Sequence, residues 1–188
     1  MFNVRFHGRG GQGVVTAAEM LSVAAFDCGL HAQAFPTFGS ERTGAPVTSY
    51  CRVDDRPIRF HEPIEEPQAI VVQDPTLLHG VPVLAGVQPS TYLLVNTSRE
   101  LSLTGVPDGE RVSRERVVTL AATDLARDVL GRPLPNTALV RAGEDQPDDP
   151  NRRQKIGQCV EPVRQQNVEP AEQPPKRVAQ PAKFGPEV

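Results

Sequence analysis

Apolar positions change period twice within the first thirty-odd residues. Phe2 to Phe6 alternates like a short β-strand, whereas Val14, Ala17, Ala18, Leu21, Ala24, Ala25 and Cys28 recur at the spacing of one helix face. Between them lies His7-Gly8-Arg9-Gly10-Gly11-Gln12-Gly13, and Gly29 stands where a left-handed residue ends a helix. The pattern predicts a β–turn–α unit. His31 to Phe35 reads as a second strand, followed by the glycine-containing loop Phe38-Gly39-Ser40-Glu41-Arg42-Thr43-Gly44-Ala45-Pro46. Val47 to Val53 and Arg56 to Phe60 read as a hairpin around Asp54-Asp55, an antiparallel element that a purely doubly wound sheet lacks. Ala69 to Gln73, Thr91 to Asn96 and Val117 to Leu120 are short apolar runs of the buried-strand type. A helix is expected from Thr123 to Leu130, with Thr123 as N-cap and Asp124 at its positive end.

Strands alternating with helices predict a three-layer α/β/α domain over residues 1–140, with a mixed, mostly parallel sheet. Composition changes the picture at the C-terminus. Residues 141–188 hold eight of the nineteen prolines, charges of both signs and Phe184 as their one aromatic residue. Such a segment buries too little apolar surface to offset its ordering entropy, so it is expected to be a disordered or extended, partner-draped tail. The tail also explains why hydrophobic content, at 38%, is low for a globular chain.

Charge and cysteine usage then exclude several chemistries. A net charge of -3 provides no broad basic field, which disfavours nucleic-acid binding. Cys28, Cys51 and Cys159 are far apart and lack a close histidine, so neither a zinc site nor an iron–sulfur cluster is expected on this chain. Without a secretory apolar region, the expected compartment is the reducing cytoplasm, where a cysteine mostly behaves as a small buried hydrophobe. No apolar run reaches the roughly 20 residues of a membrane helix. His7, His31, His61 and His79 have no metal-ligand spacing, and neither a nucleophile elbow nor paired catalytic carboxylates are evident, so no catalytic residue is assigned.

Gly8-Arg9-Gly10-Gly11-Gln12-Gly13 satisfies GxGxxG between a strand and a helix, where main-chain N–H groups and a helix start can hold a phosphate. The same glycines also suit a tight turn with close helix–strand packing, or a subunit contact. A dinucleotide site further requires an acid at the end of the second strand, and here Pro36-Thr37 follows instead. Ser40-Glu41-Arg42-Thr43-Gly44 would lie at the same carboxyl edge as the glycine loop, so two loops would build one site. Arg9 and Arg42 are candidates to meet phosphate or carboxylate with their planar forks, against the alternatives of exposed arginines or a local Glu41–Arg42 pair. The candidate cofactor-binding residues are therefore Gly8, Arg9, Gly10, Gly11, Gln12, Gly13, Ser40, Glu41, Arg42 and Gly44.

The run Arg9-Gly10-Gly11-Gln12-Gly13-Val14-Val15-Thr16-Ala17-Ala18, then Phe38-Gly39-Ser40-Glu41-Arg42-Thr43-Gly44-Ala45-Pro46-Val47, then Arg52-Val53-Asp54-Asp55-Arg56-Pro57-Ile58, closely resembles the gamma subunit of pyruvate and related 2-oxoacid:ferredoxin oxidoreductases. The likeness covers about residues 2–140, including Leu134-Pro135-Asn136-Thr137-Ala138, and Ala45-Pro46 resembles the pyruvate or branched-chain class more than the 2-oxoglutarate class. A similar gamma chain occurs in NAD-linked phenylglyoxylate dehydrogenase, and an independent dinucleotide-binding dehydrogenase is the rival of another class. The resemblance implies a coenzyme A-acylating complex. In it, alpha and beta subunits use thiamine diphosphate and magnesium, and iron–sulfur clusters, including those of a ferredoxin-like delta subunit, pass electrons to ferredoxin or another acceptor. The gamma chain itself would hold no redox cofactor, would be inactive alone, and would shape the coenzyme A path. After Val140 the sequence departs from the family, whose gamma chains continue from Asn136 into apolar helices. That leaves a face of the sheet to a partner subunit or to the tail.

Overall fold

The structure, a computed structural model, describes residues 1–37 and 43–131 together with Pro135, Asn136 and Leu139. Among the described residues, six strands form one sheet: β1 (Phe2–Arg9), β2 (His31–Pro36), β3 (Pro46–Asp54), β4 (Ala69–Val72), β5 (Tyr92–Asn96) and β6 (Val117–Leu120). Helices α1 (Val14–Asp27) and α2 (Ala122–Leu130) accompany it. The spatial order is β2-β3-β1-β4-β5-β6. β3 runs antiparallel to both β2 and β1, and every pair from β1 through β6 on the other side is parallel. The sheet is thus mixed, as expected, but not through the hairpin. Arg56 to Phe60 is not a strand, and β3 pairs instead with β1 (Val4 opposite Cys51) and β2 (Ala34 opposite Cys51). Local pattern identified the strand and misjudged its partner, because pairing between β1 and β3 is long-range.

α1 forms where the three-to-four spacing places Val14, Ala17, Ala18, Ala24 and Ala25 on one buried face. It ends as Gly29 predicts: Gly29 N–H donates to Phe26 O at 2.8 Å and Leu30 N–H to Ala25 O at 3.1 Å, the paired bonds of a Schellman cap. The helix packs on β1, β3 and β2. Phe6, Val4, Cys51, Val71 and Leu94 meet it there, with Ala122 and Leu139 in the same cluster. The opposite face holds Ile70, Val72, Leu93 and Val95 under Leu77, Leu78, Val83, Leu84 and Val87. Its cover is the short 3₁₀ turn Pro75–His79 and the loops after β4 and β5, where the sequence reading expects a helical layer. Burying one such Leu or Phe stabilises the fold by about 1.5–3 kcal/mol.

Thr123 does not cap α2. The N-cap is Ala121, and Asn96 at the end of β5 reaches across instead. Its Nδ2 donates to Thr123 Oγ1 at 2.7 Å, and Thr123 N–H donates to Asn96 Oδ1 at 3.1 Å. A residue distant in sequence thereby satisfies one of the N–H groups that the start of α2 leaves open. No helix among the described residues is long and apolar enough to cross a membrane. The tail, residues 141–188, lies outside the described residues.

Candidate functional site

Leaving β1 toward β2, the chain crosses by α1 on one face; leaving β4 toward β5, it crosses by Pro75–His79 and the following loop on the other. The crossing side reverses between β1 and β4. The carboxyl ends of these two strands are therefore the switch point, where open α/β sheets place their crevice. The glycine loop stands on one side of it and Gln73-Asp74-Pro75-Thr76 on the other.

Gly8 lies in β1 directly under the start of α1. A Cβ there would come within 2.6 Å of Val14 Cγ2 and 3.2 Å of Gln73 Cβ, so only glycine lets the helix begin this close to the strand. Gly13 is the N-cap of α1 at φ 73°, and its missing Cβ leaves room for the Asn136 carboxamide, which would otherwise stand 2.9 Å away. As N-cap, Gly13 offers no side chain to the helix start, so among the described residues no side-chain cap takes up its first N–H groups.

The two loops expected at one edge do meet. Gly10 N–H donates to Ala45 O at 2.9 Å and Gly44 N–H to Gly10 O at 3.1 Å, which fixes the turn before β3 against the glycine loop. Of the second loop's candidate residues, Gly44 is placed by these bonds; Ser40, Glu41 and Arg42 lie outside the described residues.

Arg9 and Gln12 hold the crevice mouth together with Asp74, which sequence reasoning missed. Arg9 Nε donates to Asp74 Oδ2 at 3.0 Å, a terminal nitrogen to Gly44 O at 3.1 Å, and the other to Thr76 Oγ1 at 2.8 Å. Gln12 Nε2 donates to the same Asp74 Oδ2 at 3.1 Å, while its Oε1 accepts Arg9 N–H at 2.7 Å. Asp74 Oδ1 accepts from Thr76 N–H at 3.0 Å and Thr76 Oγ1 at 2.5 Å. Partial burial pulls the Asp74 carboxyl upward, but these hydrogen bonds and the Arg9 charge outweigh it and hold its pKa below the ordinary value. The local signal was Asp-Pro-Thr, whose side chain-to-backbone bond two residues on is a common turn opener.

Gln73 was also missed. It is 1% exposed, and neither Oε1 nor Nε2 has a hydrogen-bond partner among the described residues, although its backbone carbonyl accepts Asn96 Nδ2 at 2.8 Å. Beside it, His7 is buried with Nδ1 3.2 Å from Thr48 Oγ1. Desolvation, then the nearby Arg5 charge, lowers its pKa to about 3, so the ring is neutral at physiological pH. Among the described residues no group of histidine, cysteine and carboxylate side chains could hold a metal ion.

The strand order does not support the dinucleotide alternative. The strand beside β1 toward β2 is the antiparallel β3, so β2 is one strand further away, and it ends in Pro36 without the acid a ribose site requires.

Residues 3–143 match the family described as pyruvate ferredoxin/flavodoxin oxidoreductase. The chain is 46% identical over 143 residues to pyruvate synthase subunit PorC of Methanosarcina barkeri, spanning 76% of this chain and 75% of that protein. It is 47% identical over 142 residues to the common subunit gamma of the pyruvate/ketoisovalerate oxidoreductases of Thermococcus kodakarensis, spanning 76% of each. Among solved structures it resembles pyruvate oxidoreductase subunit PORC from Thermotoga maritima, with a TM-score of 0.64 and 32% identity, over 86% of this chain and 84% of that one.

Proposed function

From the pyruvate ferredoxin/flavodoxin oxidoreductase family, to which this chain belongs, we infer its place as the gamma subunit of a complex that oxidises pyruvate or a related 2-oxoacid to its acyl-CoA. Thiamine diphosphate with magnesium on the alpha and beta subunits supplies the decarboxylation, and iron–sulfur clusters, those of a ferredoxin-like delta subunit among them, take the electrons to ferredoxin. The gamma chain contributes to the step that uses coenzyme A, by shaping the route of that anionic substrate. A soluble, cytoplasmic setting accords with such a complex.

The observation that carries this reading is the meeting of the glycine loop, the Gly44–Ala45 turn and Asp74 at the switch point, beside the start of α1, where the N-cap is Gly13. Main-chain N–H groups at a helix start attract phosphate, and the planar fork of Arg9 adds a positive charge at the same edge. This chain's residues bind and orient; proton, electron and carbon–carbon chemistry belong to the partner subunits.

Two measurements test it. The native complex should co-purify with thiamine diphosphate-bearing and cluster-bearing chains and should form acyl-CoA from a 2-oxoacid; a chain that purifies alone and binds a nicotinamide overturns the reading. In the assembled complex, Arg42→Ala should raise the KM for coenzyme A about ten- to a hundredfold, the loss of one charge-assisted hydrogen bond of roughly 1.5–3 kcal/mol. An unchanged KM in a complex of correct size would remove Arg42 from the coenzyme route.

A further inference from the structure

We propose that Asp74 is a positioning residue for the coenzyme step, holding the Arg9 guanidinium and the Gln12 carboxamide in one arrangement so that the glycine loop is pre-formed for an anion. This rests on the function proposed above and identifies a residue that acts through others.

The geometry supports it at three points. Both carboxylate oxygens of Asp74 are engaged, Oδ2 by Arg9 and Gln12 and Oδ1 by Thr76, and the side chain is 14% exposed. Gln12 is gripped from both ends, because its carbonyl accepts Arg9 N–H while its amide reaches Asp74; the turn Arg9–Gln12 is closed by side chains as well as by Gln12 N–H to Arg9 O at 3.0 Å. Arg9 uses Nε and one N–H of each terminal nitrogen on Asp74, Gly44 and Thr76. A guanidinium has five N–H bonds, so one on each terminal nitrogen has no acceptor among the described residues, and the side chain is 35% exposed.

None of these residues belongs to either hydrophobic cluster. The network therefore organises the mouth of the crevice and adds little to the core. An arginine held by a carboxylate on one edge can present its other edge to a phosphate without losing rotamer freedom on binding. Fixing such a side chain in advance is worth roughly two- to tenfold in affinity. Asp74 is acidic at a site for an anion, which only makes sense if it engages the arginine's inner edge and leaves the outer one.

The test is a double-mutant cycle on the assembled complex, with size confirmed first and coenzyme A and the 2-oxoacid varied separately. Asp74→Asn should raise the KM for coenzyme A about tenfold while kcat changes by less than about twofold, and Arg9→Gln should do the same or somewhat more. Because one acts through the other, Asp74→Asn should add nothing measurable in the Arg9→Gln background. Thr76→Val, which keeps both charges and removes the hydroxyl between them, should show a smaller rise of the same sign, about threefold, and covers the case in which Asp74→Asn fails to assemble. Independent penalties that multiply, a lower KM on removing Asp74, or equal losses in kcat and both KM values would each overturn the positioning role. A wild-type complex that makes no acyl-CoA would overturn the proposed function itself, whereas acyl-CoA formation with multiplying penalties overturns only this inference.

Discussion

Arg5 and Arg9 stand on the same face of the same strand, four residues apart, and have opposite surroundings. Arg5 is 7% exposed and meets no carboxylate among the described residues; it donates to three main-chain carbonyls, Ile64 O at 3.2 Å, Val83 O at 2.8 Å and Ala85 O at 2.6 Å. Desolvation lowers its pKa, and the nearby Tyr50 acts in the other direction. Arg52 repeats the arrangement on β3, donating to Phe60 O and Glu62 O. Together they clamp an irregular segment over the side of the sheet that α1 does not cover. Arg9, at the carboxyl end, is partly in solvent and faces a carboxylate. The interior arginine replaces hydration with carbonyl dipoles and so holds structure. The edge arginine keeps donors in reserve and so can serve recognition.

The largest effect that would break this comparison is on stability. Arg5→Leu should destabilise the chain by about 3–5 kcal/mol in urea unfolding, since two buried carbonyls and one part-buried carbonyl lose their donor at once; Arg9→Gln should cost about 1 kcal/mol or less, as partly exposed pairs do. Equal losses would erase the distinction between clamp and recognition element.

Acid should separate the same two regions. His7, beside Arg5, has a folded pKa of about 3 against an ordinary 6.5, so the unfolded chain binds a proton that the folded chain refuses. Its contribution to stability is full above pH 6.5 and falls as pH drops toward 3, by up to about 1.4 kcal/mol per unit. Asp74 is lowered as well, but as an acid it gains from its charged form, so its contribution is present above the ordinary carboxylate value of 3.8 and is lost only below it. Between pH 6 and 4, unfolding free energy should fall in the wild type and flatten in His7→Gln. A slope unchanged by that substitution would assign the acid sensitivity elsewhere.

Cys51 reports the smallest effect. It is fully buried opposite Val4, and burial pushes its thiol up to about 12. Iodoacetamide should leave Cys51 unmodified over hours at pH 7.5, as judged by peptide mass, and should reach it faster in Arg5→Leu but not in Arg9→Gln. Equal labelling of the two variants would show that the clamp does not limit opening at β3.

β1, α1, β4, β5 and β6 were legible because each rests on local periodicity, and Gly29 announced its cap. The glycine loop was legible too, as was its meeting with the turn at Gly44. Three blocks of sequence in fixed order also carried the family resemblance, which the comparisons bear out. What remained hidden were choices between distant partners. β3 pairs with β1 and β2 rather than folding back on Arg56 to Phe60, because two full-length ladders satisfy more main-chain groups than one short hairpin. Asn96 takes the start of α2 from Thr123, because parallel strands bring the end of β5 beside it. Asp74 becomes the partner of Arg9, though 65 residues separate them, once β4 docks parallel to β1 and places both at the switch point. Periodicity and turn chemistry act over a few residues and are written in the chain. Which donor meets which acceptor across a sheet depends on strand order, and that emerges only when the core has packed.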